Sequence, residues 1–233
     1  MQLFYVNPDA PEILPVEEAV HCIKVLRHKV GDIIYCIDGK GNFFESQIAR
    51  ISKRTVELQV LRKETKWGEH SYQIHLFFSP LKSKDRLEWL IEKSVELGVT
   101  ELHPLITHRT EKQNISQSRL SLIMVAAIKQ AKRSFLPVLH PPLKLNDNFL
   151  LPKIERGFIA HCNASNFIAP FLEKNTNIQS WGFAIGPEGD FSSQEVLWFQ
   201  QKGFQEISLG TNRLRSETAA IFVLSALKNS LGY

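Results

Sequence analysis

Phe183-Ala-Ile-Gly-Pro-Glu-Gly-Asp-Phe-Ser-Ser-Gln-Glu195 joins a strand signal to a helix signal through a glycine loop. Three apolar residues run into Gly-Pro, and Ser192-Ser-Gln-Glu195 has the spacing of a capping box. In that motif a serine and a glutamate satisfy each other's backbone amides at a helix start. The reading is a short buried strand, a glycine loop, then a helix to Lys202. Gly186 and Gly189 permit close backbone approach to a ligand. Bare amides at a helix start suit an anionic or polar group. The G-x-G-x-x-G spacing is absent and no Gly-Lys-Ser/Thr follows, which excludes a dinucleotide fingerprint and a Walker loop. On the glycines alone, an ordinary strand-to-helix turn stays open.

A second stretch repeats the pattern downstream: Leu209-Gly-Thr-Asn-Arg-Leu-Arg-Ser-Glu-Thr-Ala-Ala220 follows the predicted strand Ile207–Leu209 and opens a helix over Ser216–Leu231. Arg213, Arg215, Glu217 and Thr218 cluster at that helix start. Positive charge is unfavourable near a helix N-terminus, and sites that break a local rule are often functional. An exposed loop with a local Arg–Glu pair is the alternative.

Outward from these loops, residues after 71 alternate strand and helix. Predicted strands are Ile74–Phe78, Leu102–Ile106, Phe158–Ala160 and Phe183–Ile185; predicted helices are Asp85–Leu97 and Arg119–Phe135. Leu87, Leu90, Ile91 and Val95 share one face, and Gly98 stops the first helix. This rhythm predicts an α/β fold with a mainly parallel sheet, whose ligands bind beyond the carboxyl ends of the strands. Residues 1–70 read differently. Leu3–Val6, Ile33–Ile37, Phe43–Ile51 and Val56–Leu61 are short strands with a strong turn at Asp38–Asn42, as in a small β-barrel or sandwich. The polar stretch Lys63–His70 marks the domain boundary, giving domains 1–70 and 71–233.

Of 233 residues 43% are hydrophobic, enough for a core. Lys and Arg exceed Asp and Glu by 28 to 24, a net charge of +4. Residues 1–71 hold ten of each sign, so the excess lies wholly beyond them. Three separated cysteines fit a reducing, cytoplasmic setting better than a disulfide framework. Neither a signal peptide nor a membrane-length apolar run is present. The histidines show no metal-ligand spacing, and no metal is expected.

Gly-Pro-Glu-Gly followed by Leu-Gly-x-x-x-Leu-Arg-x-Glu-Thr-Ala resembles the small-subunit (16S) ribosomal RNA uridine N3-methyltransferase family (RsmE-type) of the SPOUT superfamily. The likeness covers nearly the whole chain in order. His21–Arg27, Gly31-Asp32 and Asp38–Gly41 are similar to the family's PUA-like domain. Lys84–Glu88, Lys93–Val99, Pro104, Gln130–Arg133 and Pro137 resemble its α/β part. The chain departs from the pattern at Asp190, where a second glycine is common, and at Lys129, where an acidic residue is common.

The resemblance implies a trefoil-knotted C-terminal domain that gathers three loops, Ala160–Asn163, Gly186–Asp190 and Leu209–Arg215, around S-adenosyl-L-methionine. The cofactor residues it implies are Ala160, His161, Ile185, Gly186, Pro187, Glu188, Gly189, Leu209, Gly210, Leu214, Arg215, Ser216 and Thr218. It also implies a homodimer acting on 16S ribosomal RNA, with the assembled small subunit as partner. The uracil nitrogen must lose a proton to accept a methyl group, and a guanidinium would stabilise the anion. Arg215 is the first catalytic candidate and Arg133 the second; Glu188 is a possible proton acceptor. Lys24, Arg27 and Lys29 in the first domain, and Lys82, Lys84 and Arg86 in the second, are candidate RNA contacts. Two other classes compete: a non-catalytic RNA-binding or ribosome-assembly protein on the same fold, and an unrelated phosphate-binding α/β transferase.

Overall fold

The structure, a computed structural model, describes residues 1–146, 150–168 and 177–232. Its contacts divide the chain into two units, Met1–His70 with Met124–Leu136, and Ser71–Ile123 with Pro137–Tyr233.

In the first unit β1 (Leu3–Tyr5), β2 (Ile33–Ile37), β3 (Asn42–Ile51) and β4 (Val56–Thr65) form a sheet in that order. β1 runs parallel to β2, and the other pairs are antiparallel. Asp38 builds the β2–β3 turn by accepting the amides of Lys40 and Asn42 at 2.8 and 3.1 Å. The inward residues Phe4, Ile34, Cys36, Phe44, Ile48, Val56 and Leu58 form one core with Ala19 and Cys22. Those last two come from a short helix, α1 (Val16–Val20), which continues as a π-helical turn over His21–Val25. No sequence pattern announced it, because five residues are too few to show a 3.6 period. β4 also runs four residues beyond the predicted Leu61, into the expected linker.

The segment Met124–Leu136 is fixed to this unit by charge. Arg133, 5% exposed, donates from Nε and Nη2 to Glu69 Oε2 at 3.3 and 3.1 Å. Lys129 pairs with half-buried Glu18. The basic residue that departs from the family pattern thus answers a carboxylate of α1. The helix α3 (Gln117–Ala131) ends before the predicted Phe135, because Lys132 turns to φ 56°.

The second unit holds a wholly parallel sheet. Its strands are β5 (Gln73–Phe78), β6 (Glu101–Ile106), β7 (Val138–Leu139), β8 (Leu143–Lys144), β9 (Arg156–Ala160), β10 (Ser180–Ile185) and β11 (Phe204–Ile207). The order is β11-β9-β10-β5-β6-β7, with β8 also on β6. The last strand ends at Ile207, so Ser208 and Leu209, predicted as strand, belong to the following loop. Near-continuous apolar strands such as Ser180–Ile185, buried throughout, are what a sheet covered on both faces requires. The helices are α2 (Lys84–Glu96), α4 (Ser193–Gln201) and α5 (Ser216–Ser230), besides the first part of α3. The expected capping box is present: Ser192 accepts the Glu195 amide, and Glu195 accepts the Ser192 amide at 2.8 Å. On α5, Ala219, Ala220, Val223, Leu224 and Leu227 face the core, while Phe222 stays 44% exposed.

Burial also places two imidazoles inside this unit. Desolvation, with the neighbouring His140 and His75, holds His103 down at about 3. His75 is lowered chiefly by desolvation. Both rings are therefore neutral at neutral pH.

Candidate active site

Register brings three loops together. Ala160 of β9 pairs with Ile185 of β10 on one side and with Ile207 of β11 on the other. The three strands therefore stop level, and the segments that follow leave the sheet at one end. They line a cavity of about 630 Å³ with Arg86 of α2 and Ser216 and Ala219 of α5.

Hydrogen bonds tie the loops to one another. Asp190 Oδ2 accepts the amide of Cys162 at 2.9 Å, joining the β9 loop to the β10 loop. Arg213 Nη2 donates to the carbonyl of Glu188 at 2.9 Å, joining the β11 loop to the same β10 loop. Asp190 sits at φ 69°, in the left-handed region that glycine occupies most easily. Its other carboxylate oxygen accepts the Phe191 amide at 2.8 Å. The aspartate thus holds a glycine-like conformation and contributes an inter-loop bond that glycine lacks.

The wall nearest α2 is charged. Arg86 grips Glu217 with two bonds, Nε to Oε1 at 2.7 Å and Nη2 to Oε2 at 2.5 Å. It reaches Glu188 at 3.3 Å. Burial, the largest single influence, pushes the Glu217 carboxyl up, but the Arg86 bonds, the residue's own helix-start amide and the charges of Arg86 and Arg215 together outweigh it, and the net shift is downward. Arg86, a candidate RNA contact, is therefore a cavity residue neutralised by two carboxylates. Arg215 is the N-cap residue of α5 and makes no side-chain cap bond. Its side chain is exposed and lines the cavity.

Of the expected cofactor residues, Ala160, His161, Ile185, Gly186, Pro187, Glu188, Leu209, Gly210, Leu214, Arg215 and Ser216 line the cavity. Gly189 and Thr218 do not. The Gly189 carbonyl instead accepts Arg109 Nη1 at 2.6 Å, and an added Cβ would lie 3.1 Å from the Arg109 side chain. Thr218 is exposed in the first turn of α5. Gly210 has φ +124° and open space where a Cβ would point. Arg133, held by Glu69, is not among the lining residues. Lining residues not singled out for the cofactor include Cys162, Asp190, Arg213 and Ala219. The first three lie within the loop spans, and Ala219, one turn into α5, is the last residue of the Leu-Gly-x-x-x-Leu-Arg-x-Glu-Thr-Ala stretch.

The chemistry of this lining is mixed. Ala160, Ile185, Leu209, Leu214 and Ala219 offer apolar surface for a flat ring, and the loop amides and Arg215 offer polar anchors. A volume of this order suits a small-molecule or cofactor site.

Comparison with known proteins agrees with that geometry. A family model described as an RNA methyltransferase domain matches residues 68–228, and one described as an RNA methyltransferase PUA domain matches residues 14–61. The chain is 30% identical to "Ribosomal RNA small subunit methyltransferase E" of Rickettsia conorii, covering 96% of this chain and 93% of that protein. The solved structure of a probable rRNA-methyltransferase from Porphyromonas gingivalis superposes with a TM-score of 0.88 at 30% identity, covering 100% and 99% of the two chains. Ribosomal RNA small subunit methyltransferase E from Neisseria gonorrhoeae, solved bound to S-adenosyl methionine, gives 0.83 at 27% identity, covering 98% and 97%. With both units matched and the three loops meeting at one cavity, the chain belongs to the ribosomal RNA small subunit methyltransferase E family of RNA methyltransferases.

Proposed function

We propose that this protein transfers a methyl group from S-adenosyl-L-methionine to N3 of a uridine in 16S ribosomal RNA, on the assembled small subunit in the cytoplasm. The level ending of β9, β10 and β11 at one lined cavity is the observation that carries this reading. S-adenosylmethionine would lie against Ala160, Ile185, Leu209 and Leu214, held by the backbone of the Gly186 and Gly210 loops, and would supply an activated methyl group. The protein contributes position and electrostatics. Arg215, exposed on the cavity wall, stabilises the uracil anion left when N3 loses its proton, and its guanidinium stays charged throughout. Arg86 and Glu217 brace the start of α5 and so hold Arg215 in place.

RNA is held by the first unit, read as a PUA-like barrel over residues 1–70. Lys24, Arg27 and Lys29 are all exposed there, beside exposed Val25 and Val30. Lys82 and Lys84 add positive charge on the second unit, moderated by Glu111 and Glu88. The chain reaches β11 at the far edge and then returns α5 against α2 and β10. This path supports the trefoil knot of the SPOUT fold. Exposed Phe222 on α5 and Trp89 on α2 supply apolar surface for a homodimer. The test is methyl transfer to small ribosomal subunits lacking the modification, followed by mapping of the methylated base. A labelled N3-methyluridine is expected; no transfer, or a methyl group on another atom, would reject the assignment.

A further inference from the structure

Away from the cavity, toward the amino ends of β5 and β6, three side chains from neighbouring strands converge. Register pairs His75 with Glu101, and His103 follows Glu101 by two residues, so all three stand on one face of the sheet. His75 Nδ1 lies 3.1 Å from His103 Nε2, 3.7 Å from Glu101 Oε2, and the last two atoms are 3.5 Å apart. Zinc bonds to nitrogen and oxygen are about 2.0–2.2 Å, so donors at the corners of its tetrahedron lie about 3.3–3.6 Å apart. The three observed sides bracket that range, one about 0.2 Å below it, one about 0.1 Å above it and one inside it, so a small adjustment would seat such an ion.

Hydrogen bonding accounts for the triangle less well. One proton can serve the His75–His103 contact, but the distances from either imidazole to Glu101 are too long for hydrogen bonds. Two ring nitrogens and a carboxylate oxygen lie together within reach of a single ion, an arrangement that a cation stabilises. His75 Nε2 has no partner among the described residues, so that nitrogen can carry the ring proton and leave Nδ1 as a lone-pair donor to a cation. The Phe77 ring, stacked on His103 at 4.5 Å, fixes that imidazole from the other side. His140 Nε2 lies 2.8 Å from Glu101 Oε2 and orients the carboxylate from outside the triangle. Such outer partners are a regular part of metal sites. His75 and His103 are buried, whereas the side chains of Glu101 and His140 are 24% and 34% exposed. The floor is therefore closed and the rim open, which gives an entry path.

We propose that His75, Glu101 and His103 form a binding site for one zinc-class transition-metal ion, with its fourth position toward solvent. Two imidazoles and one carboxylate select zinc or a similar ion over magnesium or calcium, which prefer oxygen ligands. The ion would clip β5 to β6 at the end of the sheet remote from the cavity.

The test is calorimetric titration of the metal-stripped full-length protein with zinc chloride, repeated with cobalt(II) and visible absorption to report tetrahedral geometry. One equivalent per chain is expected. Glu101→Gln, which keeps shape at a partly exposed position, and His103→Gln should each weaken binding by more than about 100-fold, the upper end of what loss of an outer partner does. His140→Ala should weaken it by about 10- to 100-fold. Zinc should raise the thermal midpoint of the wild type and leave that of Glu101→Gln unmoved. A flat wild-type titration would overturn the proposal. So would binding that survives both ligand substitutions, as it would if the exposed Cys162 thiol were the holder.

Discussion

At the carboxyl ends of β9, β10 and β11, polar groups reach the cavity on runs of consecutive residues. Toward the amino ends of β5 and β6, His75, Glu101 and His103 are brought together one by one through strand register. The first arrangement is written along the chain, and its loops read as loops. The second exists only once a strand beginning at Gln73 lies beside one beginning at Glu101. Between His75 and Glu101 stands a whole helix, so no spacing rule joins them. The two ends also differ in what fills the space. The cavity is bounded by oppositely charged groups paired with each other, such as Arg86 with Glu217, whereas the histidine cluster gathers three metal-ligating atoms close together.

The largest effect that can sharpen this contrast is catalytic. Arg215→Ala should lower the single-turnover rate of methyl transfer by on the order of 100-fold or more, as removal of one charge-stabilising donor does. Affinity for S-adenosylmethionine, measured in parallel, should change far less, because the contribution belongs to the transition state. Arg215→Lys should restore only part of the rate, since a point charge lacks the planar fork. A normal rate would remove Arg215 from the reaction.

Next in size is the brace behind it. Arg86→Ala leaves the Glu217 carboxylate, 7% exposed, without its two charged bonds. The expected loss is about 2 kcal/mol in urea unfolding, below the value for a fully buried pair because Arg86 is partly solvated. The folded-state pKa of Glu217 is depressed from 4.5. Its stabilisation is therefore present above that value and lost as pH falls through the folded pKa. Glu217→Gln should remove this part of the acid sensitivity. An unaltered acid profile would show that the pair contributes nothing.

Asp190 separates conformation from hydrogen bonding. Asp190→Ala keeps the left-handed backbone and loses the bond to Cys162, at a cost of about 1–2 kcal/mol. Asp190→Gly loses the bond but removes the strain and should sit near the wild type. Equal losses in both would assign the residue's role to the bond alone. On the first unit, changing Lys24, Arg27 and Lys29 together to alanine should weaken RNA binding and lower the log–log salt slope by about 0.7–0.9 per lost phosphate contact. An unchanged slope would make that patch ordinary surface.

These contrasts show where the sequence is readable. The capping box at Ser192 and the glycine loops are local, and they stand where the pattern put them. Helix α2, with Leu87, Leu90, Ile91 and Val95 buried, is equally local. What escaped depends on distant partners. Arg133, chosen for its charge and its place in a family motif, is held by Glu69, 64 residues away. Arg86, a candidate RNA contact by its charge, meets Glu217 across 131 residues, a pairing that no local pattern carries. Metal-ligand spacing along the chain does not register ligands drawn from two strands, which is where the proposed zinc-class site lies.

Whether the three loops hold S-adenosylmethionine is decided by one titration. Calorimetry on the wild type should give one cofactor per chain. Gly210→Val, which forces a branched side chain onto φ +124° in the cavity wall, should bind at least about 10-fold more weakly while circular dichroism shows the fold intact. A wild-type chain that takes up no S-adenosylmethionine, or a folded Gly210→Val protein that binds it with undiminished affinity, would rule out the three loops as the cofactor site.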